Sequence, residues 1–413
     1  MPADVPVGAK RPAPETARAG PPRAPAAGPP SPSGSPSKKP RDSFAAESRD
    51  DASAAPGAMA GRARSLPARY LLRVQYDGTN FHGFQRQAAA RTVQGCVEDA
   101  LSRLVGGDKA GKGDAPRSLR VLTHGSSRTD AGVHALDATL HVDLERISKR
   151  RPTEVVEPFT AHAVMSATNH FLRRAGVVDA RVWDCLRVDP ERFHARFSAT
   201  ARTYVYRIRV SPSHRPPGVF ERGKVWHVAR DEPLDVSAMR EAARRLVGAR
   251  DFSSFRARGC QATSATRTVE ALAVESDDAL ARAFDPEAPR LGGSGRDEDE
   301  GGDDDDDDDF SAVEVREACS DPDRKPRRGG SSSVVVTTRA PSFLYHQVRL
   351  MVATLVAVGA GDMTCADVDA LLAKKDVAAA PPMAPACGLY LARVHYDGSR
   401  PWDARRGEAR FAD

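Results

Sequence analysis

Leu119-Arg-Val-Leu-Thr123, Ser127-Arg-Thr-Asp-Ala-Gly-Val-His134 and Ala138-Thr-Leu-His-Val142 follow one another along the chain. The two outer runs have the apolar, β-rich look of strands. The middle run is polar and turns the chain between them. Gly125 and Gly132 supply permissive backbone on either side of the Asp130 carboxylate. Two readings of Asp130 stand open at this point. It caps its own backbone in an Asx-type turn, or a rigid scaffold presents it as a reactive group.

Upstream, Tyr70-Leu-Leu-Arg-Val-Gln-Tyr76 alternates as a strand and Asp77-Gly-Thr-Asn80 turns. Thr92–Leu104 carries Val93, Val97, Ala100, Leu101 and Leu104 at helical spacing, with Thr92 as N-cap. Downstream, the pattern predicts a helical stretch from Arg151, an extended segment at 177–188, and a strand at Thr203–Val210. That strand sets Tyr204, Tyr206 and Ile208 on one face. A helix at Val236–Val247 ends at Gly248, and strands follow at Thr268–Ser276 and Ser333–Arg339. A buried helix at Tyr345–Val358 and a last strand at Gly388–Tyr396 complete a second unit built like the first. The predicted class is α+β, with mainly antiparallel sheets flanked by helices around a central basic cleft. Two domains are expected, 69–188 with the Asp130 loop and 189–413 interrupted by an insertion.

Residues 1–68 are rich in Ala, Pro, Ser, Gly and Arg, and bury too little apolar surface to order themselves, so a disordered tail is expected. Its Ala/Arg/Ser bias suggests a transit peptide, and Lys38-Lys-Pro-Arg41 suggests a nuclear signal; a featureless tail is the third reading. A mitochondrial or plastid address is favoured slightly over nucleus or cytoplasm. Segment 277–332 holds 19 acidic and 8 basic side chains, including seven consecutive aspartates at 303–309. It reads as a hairpin turn grown into a disordered acidic loop, because closure entropy rises slowly with length. Removing that −11 and the tail's +4 from the net +5 leaves the body at +12. So basic a body expects a polyanionic partner, nucleic acid before others.

Several chemistries drop out. No apolar run approaches the roughly 18 residues that span a membrane. The six cysteines are scattered with no CxxC pair, so neither disulfides nor a metal are expected. Phosphate-loop, dinucleotide and Ser or Cys nucleophile signatures are missing, and no cofactor is expected. A loop carboxylate beside arginine remains, and a carboxylate can act as a covalent nucleophile. A glycosidase-like enzyme would need a second acid that the chain does not display.

Five ordered motifs carry a resemblance. Tyr76-Asp-Gly-Thr-Asn-Phe81 with Gln85-Arg-Gln87, Arg128-Thr-Asp-Ala-Gly-Val-His134, Phe193–Tyr204, Asp251-Phe-Ser-Ser-Phe255 and Phe343–Met351 are similar to the TruA family of tRNA pseudouridine synthases. The match runs from about Tyr70 to Asp397. Ser126-Ser127 and Phe220-Glu-Arg222 resemble a eukaryotic branch of that family. The resemblance implies an isomerase acting on tRNA as a homodimer, at uridines 38–40 of the anticodon stem-loop. It implies Asp130 as catalytic nucleophile, Arg128 as the residue displacing the base, Tyr204 as its stacking partner and Arg349 as the counter-ion of Asp130. It also implies tRNA contacts by Phe193, His194, Arg196, Phe197, Cys260 and Gln261. His134 is expected to be structural. Base flipping costs a few kcal/mol, and an aromatic such as Tyr204 returns about 1–3 kcal/mol by stacking. The competing reading is an RNA-binding protein of the same fold without catalysis.

Overall fold

The computed structural model describes residues 65–106, 121–146, 156–215, 218–276 and 331–397. The expected tail up to residue 64, the Leu119 end of the first strand and the insertion up to residue 330 lie outside them.

β1 (Ala68–Tyr76) alternates as its sequence demands. Tyr70, Leu72, Val74 and Tyr76 enter the main core, while Leu71 faces the other way into a small cluster with Val188, Phe193 and Ala195. Each large apolar side chain so buried contributes about 1.5–3 kcal/mol. Arg69 and Arg73 share the Leu71 face and pair with Asp143 and Asp137 of β3 (His134–Leu144). β1 lies antiparallel between β3 and β4 (Ala180–Val188).

The remaining strands extend this sheet. β5 (Ala199–Ser211), β9 (Ala271–Ser276), β10 (Ser332–Ala340) and β11 (Leu389–Tyr396) give the order β4-β1-β3-β11-β5-β10-β9. Short strands β2 (Thr123–Gly125) and β6 (Trp226–Ala229) pair with β3 and β5 to make nine. Most pairs are antiparallel; β11–β3 and β5–β6 are parallel. The last strand among the described residues, β11, therefore joins the strands that precede residue 189 to those that follow it. β7 (Gly248–Asp251) and β8 (Thr266–Val269) form a separate ribbon. Thus the run predicted as one strand at 268–276 is broken at Glu270, whose N–H turns to the Arg339 carbonyl.

α1 (Val93–Leu104) and α2 (Ala161–Arg174) pack together beside β4, each capped by a threonine side chain, Thr92 and Thr160. α3 (Val236–Leu246), α4 (Gln347–Ala360) and α5 (Cys365–Lys374) cover the other half of the sheet. α4 is apolar all round because it is enclosed, with Val348, Leu350, Met351, Val352, Leu355 and Val358 all buried. No helix among the described residues is long and apolar enough to cross a membrane.

Candidate active site

The Asp130 loop is placed by α1. Glu98, buried on that helix, accepts hydrogen bonds from the Thr123 N–H and hydroxyl, while Gln94 donates to the Thr123 carbonyl at 2.8 Å. β2 is thereby fixed, and the chain leaves it at Ser126 with no freedom to drift. On the near side, Gly83 sits at φ +92° with the Thr129 carbonyl only 2.7 Å from where a Cβ would lie. Phe84 N–H donates to that carbonyl, and the Tyr76 and Thr129 hydroxyls are hydrogen-bonded at 2.7 Å. An irregularity in the β1–β3 register between Val74 and Tyr76 adjoins this contact; bulges commonly re-aim a side chain in this way.

The Asp130 side chain takes no N–H of its own loop among the described residues. Its carboxylate instead faces α4, with Arg349 Nη1 at 3.5 Å and His346 Nε2 at 3.2 Å, both from Oδ2. Arg349 is held in place by a 2.8 Å hydrogen bond from its Nε to the Ala384 carbonyl. The N-cap and first turn of α4 supply both contacts, so the carboxylate faces the N-terminal end of that helix. This disposes of the Asx-turn reading.

Tyr204 on β5 is 9% exposed and meets Phe343 edge-to-face at 5.3 Å. Burial pushes its phenol up to about 12, against the pull of Arg202 and with a push from Asp130. Tyr204 is therefore a neutral hydroxyl near pH 7, suited to stacking and donating rather than to taking a proton. Arg128 is exposed and reaches Gln261 Oε1 at 3.4 Å, so the two segments at 128 and 260–261 meet. Cys260 lies beside them; burial raises its thiol, but hydrogen bonds from Tyr345, Ala262 and Arg256 outweigh that and bring it below the ordinary value.

The segment 193–197 divides. Phe193 is 1% exposed and packs on Leu71, Val188 and Ala195, so it is unavailable to a ligand and serves as core. This corrects its place among the RNA-contacting residues: in the Phe-His-Ala-Arg-Phe run the first aromatic turns inward and the second outward. Phe197 is 76% exposed, with His194 at 4.4 Å and His141 behind His194 at 4.5 Å, and Arg196 beside them is exposed. These rings meet edge-on and tilted rather than face to face, and run from core to solvent.

Ser126 and Ser127 are both structural. Thr139 donates to the Ser126 hydroxyl at 2.8 Å, and Arg202 donates to the Ser126 carbonyl at 2.9 Å and the Ser127 hydroxyl at 3.2 Å. Arg202 also reaches the Pro341 and Arg196 carbonyls, so one guanidinium ties the Asp130 loop to both neighbouring segments. His134 is buried, accepts from Gly78 N–H at 3.0 Å and stacks on Tyr390. A surface hollow of about 320 Å³ borders His134, Asp77, Lys224 and Tyr390, but Asp130 does not line it. Sequence reasoning gave no role to His346, Arg202 or Phe343, although all three stand inside the quoted motifs.

A family model described as tRNA pseudouridine synthase matches residues 73–172 and 242–397. The tRNA pseudouridine synthase A of Methylobacterium nodulans is 38% identical over 79% of this chain and 96% of its own length. Those of Caulobacter sp. strain K31 and Rhodospirillum rubrum are 36% identical, covering 80% and 82% of this chain and 98% and 91% of theirs. The chain belongs to the tRNA pseudouridine synthase family, isomerases that convert uridine in tRNA to pseudouridine.

Proposed function

We propose that this chain isomerises uridine in the anticodon stem-loop of tRNA, as a homodimer, with Asp130 as nucleophile. The observation that carries this reading is the Asp130 carboxylate, which has no backbone partner among the described residues and stands 3.5 Å from Arg349. Arg349 is the cationic partner that aims the carboxylate. One carboxylate oxygen bonds to the sugar carbon as the glycosidic bond to nitrogen breaks. The freed uracil turns, its ring carbon forms the new bond to the sugar, and the ester to Asp130 breaks. The proton lost from that carbon is replaced on the ring nitrogen. Arg128, exposed at the mouth of the loop, takes the place of the extruded base. Tyr204 stacks on it as a neutral ring, worth about 1–3 kcal/mol. Phe197, Arg196 and His194 supply an aromatic-cationic surface for the strand beyond.

The test is pseudouridine mapping on tRNA incubated with purified protein and with Asp130→Asn. Wild type is expected to modify the anticodon stem-loop and the variant to bind tRNA without forming product. Product from Asp130→Asn would remove the nucleophile; binding by wild type without product would favour the RNA-binding reading. Light scattering tests the dimer.

A further inference from the structure

His346 occupies a backbone conformation that a non-glycine residue adopts only under constraint, φ 62° and ψ 7°, at the N-cap of α4. It makes no capping hydrogen bond with its side chain, so helix initiation does not account for it. Ser, Asp, Asn or Gly would start this helix better. What the left-handed turn accomplishes is the direction of the imidazole. Its ring stacks on Tyr345 at 3.7 Å, and its Nε2 lies 3.2 Å from Asp130 Oδ2. Arg349 Nη1 approaches the same oxygen. Among the described residues nothing donates to Oδ1.

We infer that His346 is a positioning residue which, with Arg349, holds Oδ2 and leaves Oδ1 as the oxygen that attacks. This rests on Asp130 being the nucleophile. A carboxylate gripped at one oxygen cannot rotate freely about its terminal bond, and the ungripped oxygen keeps its lone pairs for the substrate carbon. Arg349 alone meets Oδ2 at 3.5 Å, long for a charge-assisted bond. The His346 imidazole adds a second contact to the same oxygen. The Tyr345 stack fixes the imidazole in turn.

The decisive variant is His346→Gly. Glycine takes the left-handed conformation without penalty, so the helix start is preserved or eased while the imidazole is removed. Steady-state turnover on tRNA is expected to fall by about tenfold to a hundredfold in kcat. KM and the thermal midpoint are expected to stay near wild type. His346→Asn, which tolerates the same backbone and keeps a side-chain N–H, is expected to lie between. Wild-type kcat in His346→Gly overturns the inference. So does a loss confined to KM, or one that tracks a fallen thermal midpoint. If the glycine variant does not fold, undiminished kcat in folded His346→Asn with equal kcat in folded His346→Phe overturns it instead. Asp130→Asn run alongside separates the two claims: an active Asp130→Asn sinks the nucleophile, whereas an inactive one beside a fully active His346→Gly sinks only the role of His346.

Discussion

Arg202 Nη2 and the Ser126 carbonyl, 76 residues apart in the chain, are joined by a 2.9 Å hydrogen bond beneath the Asp130 loop. The same guanidinium holds the Pro341 carbonyl at 2.8 Å. Arg202→Ala leaves these acceptors without their donor; the Ser126 carbonyl is part-buried, and orphaning a buried group costs about 1–3 kcal/mol. Denaturant unfolding is expected to show a loss of that size, with kcat falling as the loop gains freedom. Arg202→Lys is expected to rescue neither, since a single ammonium cannot reproduce the fork. Full activity in Arg202→Lys would count against the bracing role.

Gly83→Ala introduces a methyl 2.7 Å from the Thr129 carbonyl, at a φ of +92°. Overpacking of this kind costs about 1–3 kcal/mol before any backbone strain is added. The neighbour that must yield is the residue before Asp130, so kcat is expected to fall more than the thermal midpoint would suggest. An alanine variant with unchanged midpoint and turnover would show the loop to be softer than its contacts imply.

Alkaline stability reports on the buried phenols. Burial raises Tyr204 and Tyr396 from an ordinary 10.0 to about 12 each, and raises Tyr76 and Tyr206 further still. The unfolded chain loses these protons before the folded one does. The stabilisation is complete below pH 10 and is lost as pH rises towards 12. Denaturation midpoints taken across that range are expected to drop, and the double variant Tyr204→Phe, Tyr396→Phe to drop less steeply.

Acid has the opposite target. Burial, then Arg69, His194 and His124, push the His141 imidazole down from 6.5 to about 3. The unfolded histidine binds a proton that the folded one refuses. Stability is present above pH 6.5 and declines as pH falls towards 3. His141 also accepts the Ala195 N–H at 3.1 Å, which needs the neutral ring. His141→Asn is expected to be less stable at pH 7 yet to lose less between pH 6.5 and 4.

Local pattern carried much of the fold. The alternation at Tyr70–Tyr76, the Thr92 cap and the amphipathic run from Val236 each correspond to an element within a few residues of its expected ends. α5 was missed, though Thr364 and Asp367 form a capping box of recognisable spacing. The parallel placement of β11 against β3 was not legible, because register between distant strands depends on the whole sheet. The same holds at the site. Asp130 and Arg349 stand 219 residues apart, and their meeting depends on where the tertiary fold sets the start of α4. His346 was hidden for a different reason: a left-handed backbone at a histidine has no sequence signature. Phe193 was misplaced because a Phe-His-Ala-Arg-Phe run gives no sign of which aromatic turns inward.

The order β3-β11-β5 has a consequence for biosynthesis. On the ribosome, β1 to β4 and then β5 to β10 emerge as separate ribbons, and neither pairs directly with the other. Only when Leu389–Tyr396 leaves the exit tunnel does a strand exist to bridge them. The sheet beside Asp130 is thus joined only once β11 is available. A nascent chain cut short at any point before residue 389 would display the loop without the strand that joins the two halves of the sheet.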